Sequence, residues 1–196
     1  MGTDAHSPPS GELLRAGLLI VTGASHTGKT SVIRSLLPEL QPPVALLGVD
    51  QTLDHTLVKP FGEQWAQIPL AYRLIQSQLG PLLDSKWLVV VESTFTYVPA
   101  DGPGTFHGDV LETMVEAADD RGADSAVCQL ETTVEVAVHR SRGDGRLDPT
   151  VVEETNRLHR AAAMPRLTRV IAAENRTVEE VAAAVKRYLP FRFLFP

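Results

Sequence analysis

The chain has 196 residues, 43% of them hydrophobic, enough apolar material for one well-cored unit. A formal charge of −6 and a pI near 5.5 provide no basic surface for nucleic acid, and no apolar run has the length of a membrane span. Cys128 is the single cysteine, so an internal disulfide and a Cys-type zinc site are both ruled out.

The opening MGTDAHSPPSGELLRAG lacks the basic start and apolar core of a signal peptide, and His6 stands where a myristoylation signal needs Ser or Thr. Residues 1–14 are expected to be a flexible lead-in and 15–196 one domain, in the cytoplasm. The run 17–22, GLLIVT, predicts a first strand. It leads into Gly23-Ala24-Ser25-His26-Thr27-Gly28-Lys29-Thr30, the pattern G-x-x-x-x-G-K-[ST]. A helical stripe of Val32, Ile33, Leu36 and Leu37 follows, predicting a helix over 29–38.

Strand, glycine loop and helix in that order form a phosphate cradle. Gly23 and Gly28 permit backbone angles that turn successive N–H groups inward, and the helix start adds its positive dipole end. Lys29 is placed to reach the β- and γ-phosphates of a nucleotide, and the Thr30 hydroxyl to ligate Mg²⁺. The nucleotide-binding set is therefore Gly23 to Ser31, with ATP and Mg²⁺ as the expected cofactors. His26 is read as an outward-facing position of the loop.

Four further apolar runs predict strands at 44–49, 87–92, 125–130 and 169–173. Most are continuous rather than alternating, as in strands covered on both faces. Helical patterns lie between them at about 63–84, 108–121, 133–142, 150–162 and 177–188. This alternation predicts a three-layer α/β sandwich around a five-stranded parallel sheet.

The second run ends in LLGVDQTLD. Asp50 stands at the sheet edge that carries the cradle, suited either to take a proton from an attacking hydroxyl or to cap a helix. Asp54 lies one helical turn on, and shares Asp50's face if the segment is helical. Glu92 closes the third run after four apolar residues. That position suits a carboxylate on the magnesium water shell, or alternatively a structural ion pair. The stretch 98–109, VPADGPGTFHGD, predicts a long loop, with His107 as a weak substrate contact. Its DGPG mimics a GTPase switch, but no Asn-Lys-x-Asp guanine motif supports that reading.

In VHRSRGDGR, Arg140, Arg142 and Arg146 are placed to close over the phosphates as a lid near 139–149, or else form a solvated helix end. Arg140 and Arg142 are assigned to the transferring group and Arg146 to the nucleotide. The ending YLPFRFLFP packs three phenylalanines into five residues, which need cover from the chain's own core or from a second copy in a homodimer.

With these residues in view, the chain resembles the small P-loop kinases, nucleoside monophosphate kinase-like in fold. Within them it resembles the antibiotic phosphotransferases. LLGVDQTLD is similar to the stretch of chloramphenicol phosphotransferases in which Gly-Val-Asp is followed four residues later by Asp, which implies a catalytic base at Asp50. LETTVEVAVHRSRGDGR resembles the strand, helix and arginine lid of that family and of the tunicamycin-resistance type. VIAAENRTVEEVAAAVKRYL resembles the shared final strand, adenine-side loop and C-terminal helix. The resemblance covers roughly residues 16–190 and implies ATP-dependent phosphorylation of a small-molecule hydroxyl, an antibiotic or secondary metabolite among the candidates. A kinase of primary metabolism and a non-catalytic nucleotide-binding regulator stand as alternatives.

Overall fold

The structure, a computed structural model, describes residues 15–41, 43–55, 67–99, 102–145, 147–190 and 193–194. The lead-in 1–14 lies outside the described residues. β1 (Gly17–Thr22) is buried at all six positions, which explains its unbroken apolar run. It pairs in parallel with β3 (Leu88–Glu92) on one side and β6 (Asp124–Glu131) on the other. β2 (Val44–Gly48) adds beyond β3, and β7 (Thr168–Ala172) beyond β6. The order β2-β3-β1-β6-β7 is all parallel, so every strand delivers its C-terminal end to the same edge.

Alternation along β1 divides the core. Leu18 and Ile20 face a layer holding α3 (Ile68–Asp84) and α4 (Gly108–Asp119), where Tyr72, Ile75, Leu79 and Met114 are buried. Leu19 and Val21 face α1 (Lys29–Leu36) and α7 (Val178–Lys186), with Ile33, Val181 and Val185. The helix starts carry their own caps. Thr177 and Glu180 form a reciprocal capping box on α7, and Asp148 caps Thr150 of α6 (Pro149–Ala161). Gly145, at φ 64, ends α5 (Val134–Asp144) in the left-handed conformation that glycine adopts without strain.

Two expectations need correction, and part of a third falls outside the described residues. The second strand stops at Gly48, because Val49 opens a helix, α2 (Val49–His55), which buries Val49 and Leu53 one turn apart. The helix expected from about 63 is described from Ile68, residues 56–66 lying outside the described residues. The stretch 98–109, read as a long loop, holds β5 (Thr105–Phe106), which pairs antiparallel with β4 (Thr96–Tyr97) just before it, and then the start of α4. β-Branched and aromatic residues face each other across that ladder, a pairing that outweighs the Pro and Gly content between them.

Candidate active site

The cradle is built by backbone conformation. Gly23 sits at φ 143, and a Cβ there would meet the Leu130 carbonyl oxygen at 2.4 Å, so only glycine fits. Gly28 lies at φ 94 and His26 at φ 63, a left-handed conformation unusual outside glycine. Thr27 Oγ1 donates to Ala24 O at 3.0 Å and closes the loop from within. Lys29 folds back so that Nζ donates to Gly23 O at 3.0 Å and Ala24 O at 2.9 Å. Its burial pushes the ammonium pKa down, against the opposing pull of Glu92 and then Asp50.

The neighbouring strand completes the mouth of the loop. Glu92 pairs with Val21 in register, and Thr30 Oγ1 hydrogen-bonds Glu92 Oε1. These two side chains offer one hydroxyl and one carboxylate as oxygen donors. Among the described residues no group of three His, Cys, Asp or Glu side chains gathers to hold a metal. Two oxygen donors suit Mg²⁺ that arrives on phosphates and keeps several of its waters. The left-handed backbone of the cradle at Gly28 and the Thr30–Glu92 pair thus fit a magnesium nucleotide.

No protein-family profile matches the chain, and no curated protein matches it in sequence. Solved structures do. The tunicamycin resistance protein of Deinococcus radiodurans superposes with a TM-score of 0.62 at 16% identity, covering 93% of this chain and 100% of that one. A gluconokinase from Sinorhizobium meliloti gives 0.51 at 16% identity, over 87% of this chain and 92% of its own. The APS kinase of Mycobacterium tuberculosis, solved with AMPPNP and APS, gives 0.51 at 17% identity, over 89% and 97%. The chain has the fold of the small P-loop kinases.

Within that fold the expected residues are brought together unequally. Arg140 reaches the P-loop, donating from Nη1 to the His26 carbonyl at 3.2 Å. Arg142 is exposed, about 200° further round α5. Arg146 lies outside the described residues. Asp50 is exposed in the first turn of α2, following Val49, so it is not the cap of that helix. It lies near enough to Lys29 and Tyr72 to act electrostatically on both. Asp54 is exposed one turn later. Ser31 is exposed on α1 and makes no described contact with the loop.

Beyond Glu92 the backbone turns sharply, with Phe95 at φ 51 and its N–H held by Ser93 Oγ at 2.9 Å. Tyr72 is fully buried there, stacked on Phe95 at 5.7 Å and edge-on to His107 at 5.3 Å. Burial raises the Tyr72 pKa, so the phenol stays protonated. His107 is pushed down by burial against the pull of Asp109, and its Nε2 is a buried atom without a hydrogen-bond partner. A polar, half-buried histidine thus stands beside Tyr72, past the end of β3.

Sequence reasoning placed a helix at 150–162, which is α6, but gave its inward face no role. Val152, Thr155, Asn156 and His159 are buried along one face of it. Thr155 Oγ1 accepts the Ser25 N–H at 3.4 Å, and His159 Nε2 meets Thr94 O at 2.6 Å. The signal was present as polar residues at helical spacing in VVEETNRLHR, a stripe that faces inward although its chemistry reads as surface. A cavity of about 60 Å³ lies between α6, the P-loop and the end of β6, lined by Ala24, Thr27, Thr132, Asn156 and His159. A larger groove of about 660 Å³ runs along the charged flank of α6 past Glu153, Arg157 and Arg160. No P-loop residue lines it, so size does not mark the chemistry here.

Proposed function

We propose that this protein is an ATP-dependent kinase that phosphorylates a hydroxyl of a small molecule. The observation that supports it is Lys29 folded onto the P-loop beside the Thr30–Glu92 pair. The P-loop amides and Lys29 would hold the phosphates, and Thr30 with Glu92 would hold Mg²⁺, which supplies charge neutralisation when bound. Asp50, at the start of α2, would orient the acceptor hydroxyl and take its proton. Arg140, already seated on the loop, would stabilise charge that grows on the transferring group, with Arg142 joining it on lid rotation.

The acceptor we favour is an antibiotic or secondary metabolite. Support comes from the Asp50 stretch, which resembles that of chloramphenicol phosphotransferases, and from the overlay on a tunicamycin resistance protein. The gluconokinase and APS kinase overlays support the alternative of a metabolite kinase. A cytoplasmic location belongs to the same reading, since ATP is the donor.

Incubating the protein with Mg·ATP and a library of hydroxylated compounds, and reading the gain of one phosphate by mass spectrometry, tests the reaction and names the acceptor. Lys29→Ala should abolish that gain while leaving the fold intact. Turnover near that of the wild type would remove the P-loop from the mechanism.

A further inference from the structure

The P-loop and the acceptor-side ladder do not hydrogen-bond each other in any described contact, yet one helix holds both. Thr155 and His159 are four residues apart on α6 and therefore share a face. Thr155 receives the Ser25 N–H of the loop. His159 reaches Thr94, and its ring stands edge-on to Phe106 of β5 at 5.3 Å. The packing beside them is close: a Cβ on Gly104 would meet Leu158 Cδ1 at 2.7 Å and Glu154 Oε1 at 3.0 Å. Glu154 also accepts a hydrogen bond from the Gly104 backbone.

The chemistry of the His159 contact is determined by its partner. Thr94 O only accepts, so Nε2 carries the hydrogen and Nδ1 is left as a bare acceptor. That Nδ1 is buried without a partner, as is Thr132 Oγ1, and both residues line the 60 Å³ cavity. A polar cavity of that size is of the kind ordered water occupies. Burial and the nearby charge of Lys29 push His159 down to about 4, so the ring is neutral at neutral pH.

We propose that His159 is a positioning residue: through its Nε2–H on Thr94 O, α6 holds the acceptor-side ladder in fixed relation to the P-loop. Because α5 packs against α6, motion of the arginine-bearing helix is passed to the ladder. The tether stands on the structure alone, whereas its response to nucleotide rests on the kinase reading.

Hydrogen–deuterium exchange on the full chain tests both parts. Without ligand, His159→Ala should speed exchange in peptides 94–99 and 102–107 by about tenfold, the effect of losing a buried hydrogen bond. Peptides from α1 and α7 should stay unchanged. His159→Gln, which keeps an N–H donor of similar reach, should restore slow exchange. With Mg²⁺ and AMPPNP, the wild type and His159→Gln should gain protection in both the P-loop and the ladder, and His159→Ala in the P-loop alone. Unchanged ladder exchange in His159→Ala, or loosening of the whole chain to the same extent in both variants, would overturn the tether. Wild-type protection that stops at the P-loop would overturn the coupling. If AMPPNP protects no segment, the nucleotide reading fails instead, and the ligand-free comparison still decides the tether.

Discussion

Asp50 separates a kinase from a module that only binds nucleotide. Asp50→Asn keeps the shape of the side chain and removes its charge and its capacity to accept a proton. The kcat should fall by about two to four orders of magnitude, the usual span for a general base. The dissociation constant for AMPPNP should hardly move, since the loop, Lys29 and Thr30 are untouched. Full activity in this variant would shift the acceptor site towards Glu92 or His107. His159 makes a second prediction at this scale, through pH. Its folded pKa is depressed to about 4 from 6.5, so the unfolded chain binds the proton more readily. Stability is therefore fully present above about pH 6.5 and drains as pH falls through that window towards 4, by up to about 3 kcal/mol. Thermal melts from pH 7 to 4 should show a shallower acid limb in His159→Gln than in the wild type. Identical limbs would show that another group dominates acid unfolding.

At the scale of the element, α5 carries an arginine onto the P-loop and α6 secures the other side. Arg140 Nη1 rests on the His26 carbonyl, and 3.9 Å separates it from where a Gly28 Cβ would lie. An exposed neutral contact of this kind contributes little to binding, whereas a cation facing the transferring phosphoryl matters most in the transition state. Arg140→Ala should lower kcat by about tenfold or more and alter ATP affinity less, a split that steady-state kinetics with binding calorimetry resolves. Equal losses in both would return the residue to a ground-state contact. Of the arginine lid read in the sequence, only Arg140 makes a described contact with the loop. Arg142 shares its helix but not its direction, and three-dimensional phase around an axis is what a short basic segment leaves open.

For the whole molecule, Phe193 and Leu194 are part of the core. Phe193 is 7% exposed and lies so close to Gly17 that a Cβ there would meet its ring at 2.5 Å, while Leu194 bridges Leu40. The tail therefore closes the layer that holds α1 and α7, and β1 opens with glycine to admit it. Phe193→Ala should destabilise the fold by about 3 kcal/mol, the loss expected of a buried aromatic truncated to alanine, measured by urea denaturation. Deleting 190–196 should lower the melting temperature further, and light scattering on that variant tests whether the tail also joins two copies. Unaltered melting in both would make the tail dispensable.

The cradle was legible because it is local. Gly23 to Thr30 are consecutive, and their chemistry follows from backbone angles that neighbouring residues set together. The five strands were legible for a related reason, since burial on both faces writes a continuous apolar run. The short helix α2 and the β4–β5 ladder were not, because too few residues carry their periodicity. What only the tertiary structure decided is how distant residues meet. Placing β3 next to β1 sets Glu92 beside Thr30 across 62 residues, and packing α6 across the sheet edge sets His159 on Thr94 across 65. Strand order and helix phase arise from the packing of whole layers, and no local pattern encodes them. For that reason the glycine loop could be read from eight residues, while the contacts that β3 and α6 bring to it had to await the fold.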